Sequence, residues 1–272
     1  MKRHPSPIMV TFGLLGAALL TVLVAPVVTL AFHLDAASWT SLLHADPRTV
    51  DAIQLTVVTS SASVAVMTLL GVPLGYVLAR SAFPGRGFVI CLIALPMVVP
   101  GLAGGILLLL TFGRLGVIGS IAGGLGVSLS DNFLGIVLAQ VFVASPLVII
   151  SSMVAFGSVD ERLEIAAATL GDSAWRVFRR ISLPIARPAV MAGIVLAWVR
   201  ALGEFGATMI VSYNPQTLPV HLWVRFQADG LSGAIPLAFV LVCLALGATV
   251  AWILLSRPLP TNRSDLQWAG KP

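Results

Sequence analysis

Six long apolar segments constrain this chain more than any other feature of its sequence. Each holds 24 to 27 residues. They are Ile8–Phe32, Ile53–Ala79, Phe88–Phe112, Phe133–Phe156, Ala189–Tyr213 and Ser232–Ser256. About 20 apolar residues are enough for a helix to cross the hydrocarbon core of a bilayer. Because a backbone inside lipid must satisfy its own hydrogen bonds, segments of this length predict helices. The sequence therefore predicts an all-α integral membrane protein with six transmembrane helices.

The composition agrees with a membrane protein and argues against several other classes. Hydrophobic residues make up 58% of the 272 residues, charged residues only 10%, and the mean hydropathy is +1.00. The basic residues behind the net charge of +5 are spread over several loops, so no nucleic-acid surface is predicted. Cys91 and Cys243 each lie in an apolar segment and are interpreted as packing residues, not as a disulfide or metal pair. The first segment is longer than the core of a signal peptide, which predicts an uncleaved span.

The distribution of Lys and Arg predicts the orientation of the spans. Twelve basic residues fall in one set of hydrophilic segments and three in the alternate set. The larger set is Lys2, Arg3, Arg80, Arg86, Arg162, Arg176, Arg179, Arg180, Arg187, Arg257, Arg263 and Lys271, and the smaller is Arg48, Arg114 and Arg225. Because cytoplasmic loops are enriched in basic residues, both termini are predicted to be cytoplasmic. The chain then divides into residues 1–52 (tail, first helix, outer loop), 53–256 (five-helix domain) and 257–272 (cytoplasmic tail).

The largest predicted cytoplasmic feature is the loop of residues 157–187. Its start, Ser158 to Glu161, matches the S-x-x-E capping box, which predicts that a helix begins there. Apolar residues then recur at helical spacing and define one face: Val159, Leu163, Ala166, Ala167 and Leu170. Gly171 stands where a C′ glycine would end this helix. The first half of the loop is therefore predicted to be a short amphipathic helix that ends in a glycine turn.

A second short helix is predicted directly after Gly171. Asp172 or Ser173 is its predicted N-cap. It is expected to end at Leu183-Pro184, because the residue before a proline avoids the helical region. A pair of amphipathic helices in this place either binds a partner or only anchors the loop at the membrane surface, and the residues alone leave both interpretations open.

The spacing of this loop resembles the EAA loop of binding-protein-dependent ABC importer permeases. The pattern is Glu164-x-Ala166-Ala167-x-x-x-Gly171, then nine residues, then Ile181-x-Leu183-Pro184. In that family the loop forms coupling helices that dock into a groove on a cytoplasmic ATPase. The resemblance implies that Glu164 contacts the ATPase, that Ala166 and Ala167 pack at the interface, and that Gly171 makes the bend. The rest of the docking motif is then Ile181, Leu183 and Pro184.

Two other segments, residues 70–119 and 200–208, resemble the molybdate permeases of this family. Residues 217–238 are similar to tungstate, molybdate and sulfate permeases without matching one of them cleanly. The resemblance implies a type I ABC importer permease fold for residues 53–256, in the plasma membrane of a prokaryote. It also implies a homodimer, a cytoplasmic ABC ATPase dimer that binds the ATP and magnesium, and an extracytoplasmic oxyanion-binding protein. Molybdate is the expected substrate, with sulfate and tungstate as alternatives, and no cofactor is expected in this chain.

Arg200 and Glu204 are ionisable residues inside the fifth apolar segment. Because they are four positions apart, one helix would place them on the same face, where they can pair. Ionisable residues inside a membrane usually face a cavity or each other. One interpretation is that they line the translocation pathway together with Thr208, with the Arg200 guanidinium offered to a tetrahedral oxyanion. The other interpretation is a structural ion pair.

Other polar and proline residues of the spans allow weaker predictions. Pro96 and Pro100 predict either a kink with close packing or a deformable segment beside the pathway. Hydroxyl residues in the second segment are interpreted first as packing residues: Thr56, Thr59, Ser60, Ser61 and Ser63. Residues on the outer side are candidates for contact with a binding protein by their position alone: Tyr213, Asn214, Trp223 and Arg225.

The sequence also lacks the motifs of several enzymes. It contains no G-x-x-x-x-G-K-[ST], so this chain is not expected to hydrolyse ATP itself. No Cys/His metal cluster or nucleophile–base set appears on one side of the membrane, which argues against an intramembrane hydrolase. The histidines are scattered and are interpreted as incidental loop residues: His4, His33, His44 and His221. A stand-alone secondary transporter or channel remains the alternative from another class, although it would not need a docking loop.

Overall fold

Helices form the regular structure of the computed structural model, which describes residues 7–35, 39–40 and 46–255. No strand occurs in these ranges. The helices are α1 (Pro7–Phe32), α2 (Pro47–Arg80), α3 (Arg86–Val98), α4 (Gly101–Phe112), α5 (Val117–Gly124), α6 (Phe133–Gly157), α7 (Glu161–Thr169), α8 (Ala174–Val177), α9 (Leu183–Leu202), α10 (Gly206–Val211) and α11 (Leu218–Leu255). A π-helical turn, Phe178–Ser182, joins α8 to α9. The predicted tail of residues 257–272 and the basic residues Lys2 and Arg3 lie outside the described residues.

Five stretches of helix are long and apolar enough to cross a membrane, and α3 with α4 makes a sixth if the bent pair counts as one span. The predicted all-α membrane fold is confirmed. The third predicted span is bent more sharply than the kink expected at its prolines, because α3 and α4 meet at an angle of 117°. Val99 is extended (φ −70°, ψ 125°), as expected for the residue before Pro100, and Pro100 then begins α4. The proline therefore breaks the third span and does not merely kink it.

The fifth and sixth predicted spans also differ from straight helices. The fifth is interrupted between Leu202 and Gly206, so Glu204 lies in a break and not on the same helix as Arg200. Gly203, a weak helix former, stands at the end of α9. The sixth helix, α11, begins well before Ser232 and contains a kink at Gly230, whose φ of 67° favours glycine.

The core of the molecule lies where α2 packs along α6 and α9 crosses both. Its central buried residues are small or apolar: Met67, Val72, Ala144, Val148, Ala155, Phe156, Val159, Ala186, Val190, Ala197 and Ala201. Gly75 of α2 permits the closest approach, since a Cβ there would lie 2.6 Å from the Ser152 Cβ and 2.8 Å from the Ile149 carbonyl oxygen. Small residues at such contacts let the backbones of membrane helices pack tightly.

This contact predicts a loss of stability in Gly75→Ala. The added methyl would collide with the backbone of α6, and overpacking of this kind costs about 1–3 kcal/mol. We expect a lower unfolding midpoint in detergent than for the wild-type chain. Gly16→Ala in α1 is the matched control, because no atom lies within 4 Å of its Cβ position and alanine favours the helix. Equal midpoints for the two variants would contradict the close packing of α2 on α6.

Hydroxyl residues of α2 have the packing role predicted from the sequence. Four of the five are fully buried, whereas Ser61 is exposed. The Ser63 hydroxyl donates to Gln140 Oε1 of α6 at 2.7 Å. The Trp198 indole of α9 donates to the Ser60 hydroxyl at 3.2 Å, and the Leu218 amide of α11 donates to Thr56 Oγ1 at 2.7 Å. These bonds connect α2 to three other helices.

Candidate functional site

The loop of residues 157–187 begins its first helix two residues later than predicted. The Ser158 hydroxyl donates back to the Ala155 carbonyl of α6 at 2.8 Å, because Ser158 still has helical backbone angles. It is therefore not the N-cap, and the predicted capping box is wrong. Asp160 caps α7 instead, since its Oδ1 accepts the Arg162 amide at 2.9 Å. Helix α7 then runs from Glu161 to Thr169.

The predicted glycine turn at Gly171 is confirmed. Gly171 has a φ of +92°, in the left-handed region that glycine adopts without strain. Its amide donates to the Ala168 carbonyl at 3.0 Å, and the Asp172 amide donates to the Ala167 carbonyl at 3.1 Å. This pair of bonds is the Schellman motif. The end of α7 is thus fixed by hydrogen bonds and by a backbone angle that other residues resist.

The second helix of the loop starts at Ala174 with Ser173 as its N-cap, but it does not end at Leu183-Pro184 as predicted. The π-helical turn carries the helix on into α9, and the Leu183 amide bonds to the Phe178 carbonyl, five residues back. Pro184 lacks an amide hydrogen, so it fits the first turn of α9 without losing a bond. Helix α8, the π turn and α9 therefore form one helical stretch that enters the membrane.

Several apolar side chains of the loop remain exposed. Leu170 is 88% and Trp175 67% exposed, with Ile165 and Leu163 at 60% and 49%. Ala166 is exposed and Ala167 half-buried. Val159, predicted on the same face, is instead buried in the core. Exposed apolar residues in one short segment are typical of a surface that binds another protein.

Aromatic packing holds the side of the loop that faces α2 and α6. Phe178 of the π turn lies 4.9 Å from the ring of Tyr76 on α2 and 5.8 Å from that of Phe156 on α6. Trp175 stacks on Phe178 at 5.5 Å. Ile181 and Leu183 are half-buried beside this cluster, and Pro184 is exposed. Such ring pairs add to the stability of the area they bury.

Glu164 faces into the chain. Its Oε1 accepts hydrogen bonds from Arg80 Nη2 at 2.7 Å and from the Ser182 hydroxyl at 2.6 Å. Only 15% of its side chain is exposed. Sequence reasoning did not find Arg80 or Ser182 as partners, because they are 84 and 18 positions away from Glu164. The one signal in the sequence was that Arg80 follows the second apolar segment directly.

Arg200 and Glu204 form the predicted ion pair. Arg200 Nη1 lies 2.6 Å from Glu204 Oε2, and the two side chains are 43% and 2% exposed. The other carboxylate oxygen accepts the Ala207 amide at 2.8 Å, so Glu204 also caps α10. Pairing therefore survives the break in the helix because the carboxylate folds back to the end of α9. Arg200 keeps a partly exposed surface, whereas Glu204 has none.

The breaks in the third and fifth spans contact each other. A Cβ on Gly206 would lie 2.9 Å from backbone atoms of Gly101 and Leu102. A Cβ on Gly105, one turn along α4, would lie 2.6 Å from the Ile210 Cβ. Glu204 sits at this junction, with its Oε1 3.5 Å from the Cβ position of Gly101. Thr208 is buried on α10, and its hydroxyl has no hydrogen-bond partner among the described residues.

A cavity of about 780 Å³, lined by polar and apolar residues, opens beside the start of α2. Its lining includes Arg48, Asp51, Gln54, Asn214 and His221. His221 is buried and bridges Thr49 Oγ1 at 3.2 Å and Gln216 Oε1 at 3.1 Å, so it is not the incidental loop residue that the sequence suggested. Within the described ranges, no three His, Cys, Asp or Glu residues are grouped as a metal site would require.

This fold is the fold of ABC importer membrane subunits. A bacterial ABC transporter involved in the import of the acidic polysaccharide alginate superposes with a TM-score of 0.70 at 18% identity, over 91% of this chain and 96% of that one. The MetNI methionine ABC transporter superposes with a TM-score of 0.61 at 15% identity, over 76% of this chain and 94% of that one. The helical architecture of this chain is therefore shared with solved ABC transporters.

The chain belongs to the family of binding-protein-dependent transport system inner membrane components, whose family model matches residues 71–257. A probable molybdenum ABC transporter permease protein of Haloferax volcanii is 43% identical, over 76% of this chain and 74% of its own length. The molybdate/tungstate transport system permease protein of Thermococcus kodakarensis is 39% identical, over 88% of this chain and 92% of its own length. The molybdenum transport system permease protein of Escherichia coli is 37% identical, over 72% of this chain and 88% of its own length. The protein is therefore an inner-membrane permease subunit of an ABC importer.

Proposed function

We propose that this permease subunit carries molybdate into the cell. The proposal rests on the relatives of this chain, which are named as molybdenum, molybdate or tungstate permeases and are 36–43% identical to it. Tungstate remains the first alternative because the Thermococcus protein is named for both anions. Sulfate is the second alternative, because residues 217–238 also resemble sulfate permeases.

In the proposed mechanism the loop of residues 157–187 docks onto a cytoplasmic ABC ATPase dimer, which binds the ATP and magnesium. The exposed side chains Ile165, Leu170 and Trp175 suit burial in a groove of that partner. Closure of the ATPase dimer then displaces the loop. Because α8 continues through the π turn into α9, this displacement moves the span that carries Arg200. Arg200 lies about 20 Å along the helix axis from Arg187, the last residue of the loop, given 1.5 Å per residue.

The pathway is proposed to run beside Arg200, Glu204 and Thr208, where the breaks of the third and fifth spans meet. Arg200 is exposed enough to attract an oxyanion, but Glu204 already balances its charge. A fully available guanidinium would bind the anion tightly. A guanidinium whose charge is neutralised by Glu204 attracts the anion weakly. The anion can then leave, as transport through a permease requires.

The active assembly is proposed to be a homodimer with cytoplasmic termini and an extracytoplasmic oxyanion-binding protein. The membrane-spanning window of α1 has no buried residue, so this helix is free to meet lipid or a second copy. Two copies would supply a matching pair of loops for a two-fold ATPase dimer. On the proposed outer side, Tyr213 and Trp223 are partly exposed, and the cavity beside the start of α2 is lined by the neighbouring residue Asn214. Both observations support contact with the binding protein on this side.

Competition during uptake tests the substrate. Cells that express the complete importer are given radiolabelled molybdate, with unlabelled molybdate, tungstate or sulfate in excess. We expect unlabelled molybdate and tungstate to suppress the uptake of labelled molybdate. A tenfold excess of sulfate should change this uptake by less than about twofold, because a tenfold preference for molybdate over sulfate needs only about 1.4 kcal/mol. Suppression by sulfate equal to that by molybdate would contradict the molybdate assignment. Cells that lack this chain provide the background.

A further inference from the structure

Three polar side chains tie the coupling helix α7 to the inner ends of two spans. We infer that Arg80, Glu164 and Ser182 form an internal latch that transmits movement of α7 to α2 and α9. The inference deepens the proposed function and rests on the docking of this loop to an ATPase. It gives Glu164 a positioning role inside the chain, in place of the direct ATPase contact that the family resemblance implies.

The first argument is the geometry at Glu164. Arg80 Nη2 and the Ser182 hydroxyl both donate to the same oxygen, Oε1, at 2.7 and 2.6 Å. Arg80 and Glu164 are only 14% and 15% exposed, and Ser182 is fully buried. Charge-assisted hydrogen bonds in such a shielded place are stronger than surface ion pairs. Glu164 is thus committed to partners within its own chain.

The second argument is that Arg80 holds more than one part of the loop. Its Nη2 also donates to the Val159 carbonyl at 3.1 Å, in the segment that links α6 to α7. A further ion pair with Glu161 is long, at 3.6 Å, and Glu161 is 70% exposed, so it contributes little. Arg80 therefore fixes both the approach to α7 and the middle of α7.

The third argument is the position of each residue in the fold. Arg80 is the last residue of α2, and Ser182 is the last residue of the π turn that leads into α9. Glu164 lies on α7 between the exposed neighbours Leu163 and Ile165. The apolar side chains can therefore meet a partner while the carboxylate holds the helix to two spans. A push on α7 then reaches α2 and α9 together.

The latch is tested in the complete importer, reconstituted in proteoliposomes with the P-loop ATPase that copurifies with the chain. The variants are Arg80→Gln, Glu164→Gln and the charge exchange Arg80→Glu with Glu164→Arg. Arg114→Gln is the matched control, because it removes an exposed positive charge that lies outside both the latch and the loop of residues 157–187. For each variant we measure the amount of bound ATPase, ATP hydrolysis and the molybdate imported per ATP.

We expect both single variants to bind as much ATPase as the wild type. They should import at least about tenfold less molybdate per ATP, which lies within the usual range of coupling free energies between two sites. The charge exchange restores the ion pair but leaves the Val159 carbonyl without its donor, so it should import more than either single variant without reaching the wild type. The control should equal the wild type. Ser182→Ala, which removes one uncharged donor, should give a smaller loss of import per ATP than either single variant.

Three results in the variants would overturn the latch. Loss of bound ATPase in Glu164→Gln but not in Arg80→Gln would show a direct contact instead. Unchanged import per ATP in both single variants would show that the bonds carry no coupling. A fall in import that tracks the unfolding midpoint across all variants would show a structural role only. Failure of the wild-type chain to bind any ATPase would overturn the docking proposal as well, and it would appear before any variant is made.

Discussion

Gly171→Pro is expected to abolish ATP-driven molybdate uptake while the protein still inserts into the membrane. Proline holds φ near −65°, whereas Gly171 needs +92°, and proline also lacks the amide that bonds to the Ala168 carbonyl. A misplaced proline costs about 3 kcal/mol or more, which exceeds what one short exposed turn can supply. Each factor of ten corresponds to about 1.4 kcal/mol, which is less than the cost of the proline. Uptake into proteoliposomes should therefore fall at least tenfold.

Gly171→Asn is the control for this prediction. Asparagine tolerates the left-handed region better than other non-glycine residues and retains the amide. We expect this variant to keep most of its uptake at equal protein levels. Normal uptake by Gly171→Pro would mean that the bend between α7 and α8 has no part in coupling.

Arg200→Met is expected to give the largest loss of stability among single changes in the spans. It leaves the Glu204 carboxylate, which is 2% exposed, without its ionic partner inside the membrane. The cost should be about 2–3 kcal/mol, similar to that of placing one ionisable group at the centre of a membrane helix. Chemical unfolding in mixed micelles measures this difference.

The double variant, Arg200→Met with Glu204→Gln, separates structure from transport, because the glutamine oxygen can still accept the Ala207 amide. Removing both charges is often close to neutral for stability, so the double variant should recover much of the loss. Because Glu204 already neutralises Arg200, we expect the KM for molybdate uptake to change by less than about tenfold, or about 1.4 kcal/mol. A stable double variant that no longer transports would instead assign direct anion contact to Arg200.

Features set by local chemistry could be predicted from the sequence. Apolar length predicted the spans, because a helix must cover the hydrocarbon core. Gly171 was predicted to end α7, because its left-handed angle and the bonds around it depend on neighbouring residues only. The Arg200–Glu204 pair was predicted from a spacing of four residues, and it forms although the helix on which the prediction relied is broken.

Features that depend on distant contacts could not be predicted. Ser158 fits the capping-box pattern, but its hydroxyl bonds to the end of α6, so Asp160 becomes the cap. Pro184 is a helix breaker by local rules, yet the π turn before it lets the helix continue. The partners of Glu164 come from α2 and the π turn, and no periodic pattern connects residues 84 positions apart. The family resemblance implied that Glu164 contacts the ATPase, and the structure adds Arg80 and Ser182 as its partners within the chain.

The most direct test of the whole account is the ATP dependence of molybdate uptake by the purified protein. The chain is solubilised with the proteins bound to it, and proteoliposomes are prepared with and without the copurified P-loop ATPase, in each case with the oxyanion-binding protein supplied. The account predicts that a P-loop ATPase copurifies and that uptake requires both this ATPase and ATP. Molybdate uptake by the chain alone, driven by an ion gradient and indifferent to ATP, would contradict it and favour a secondary transporter.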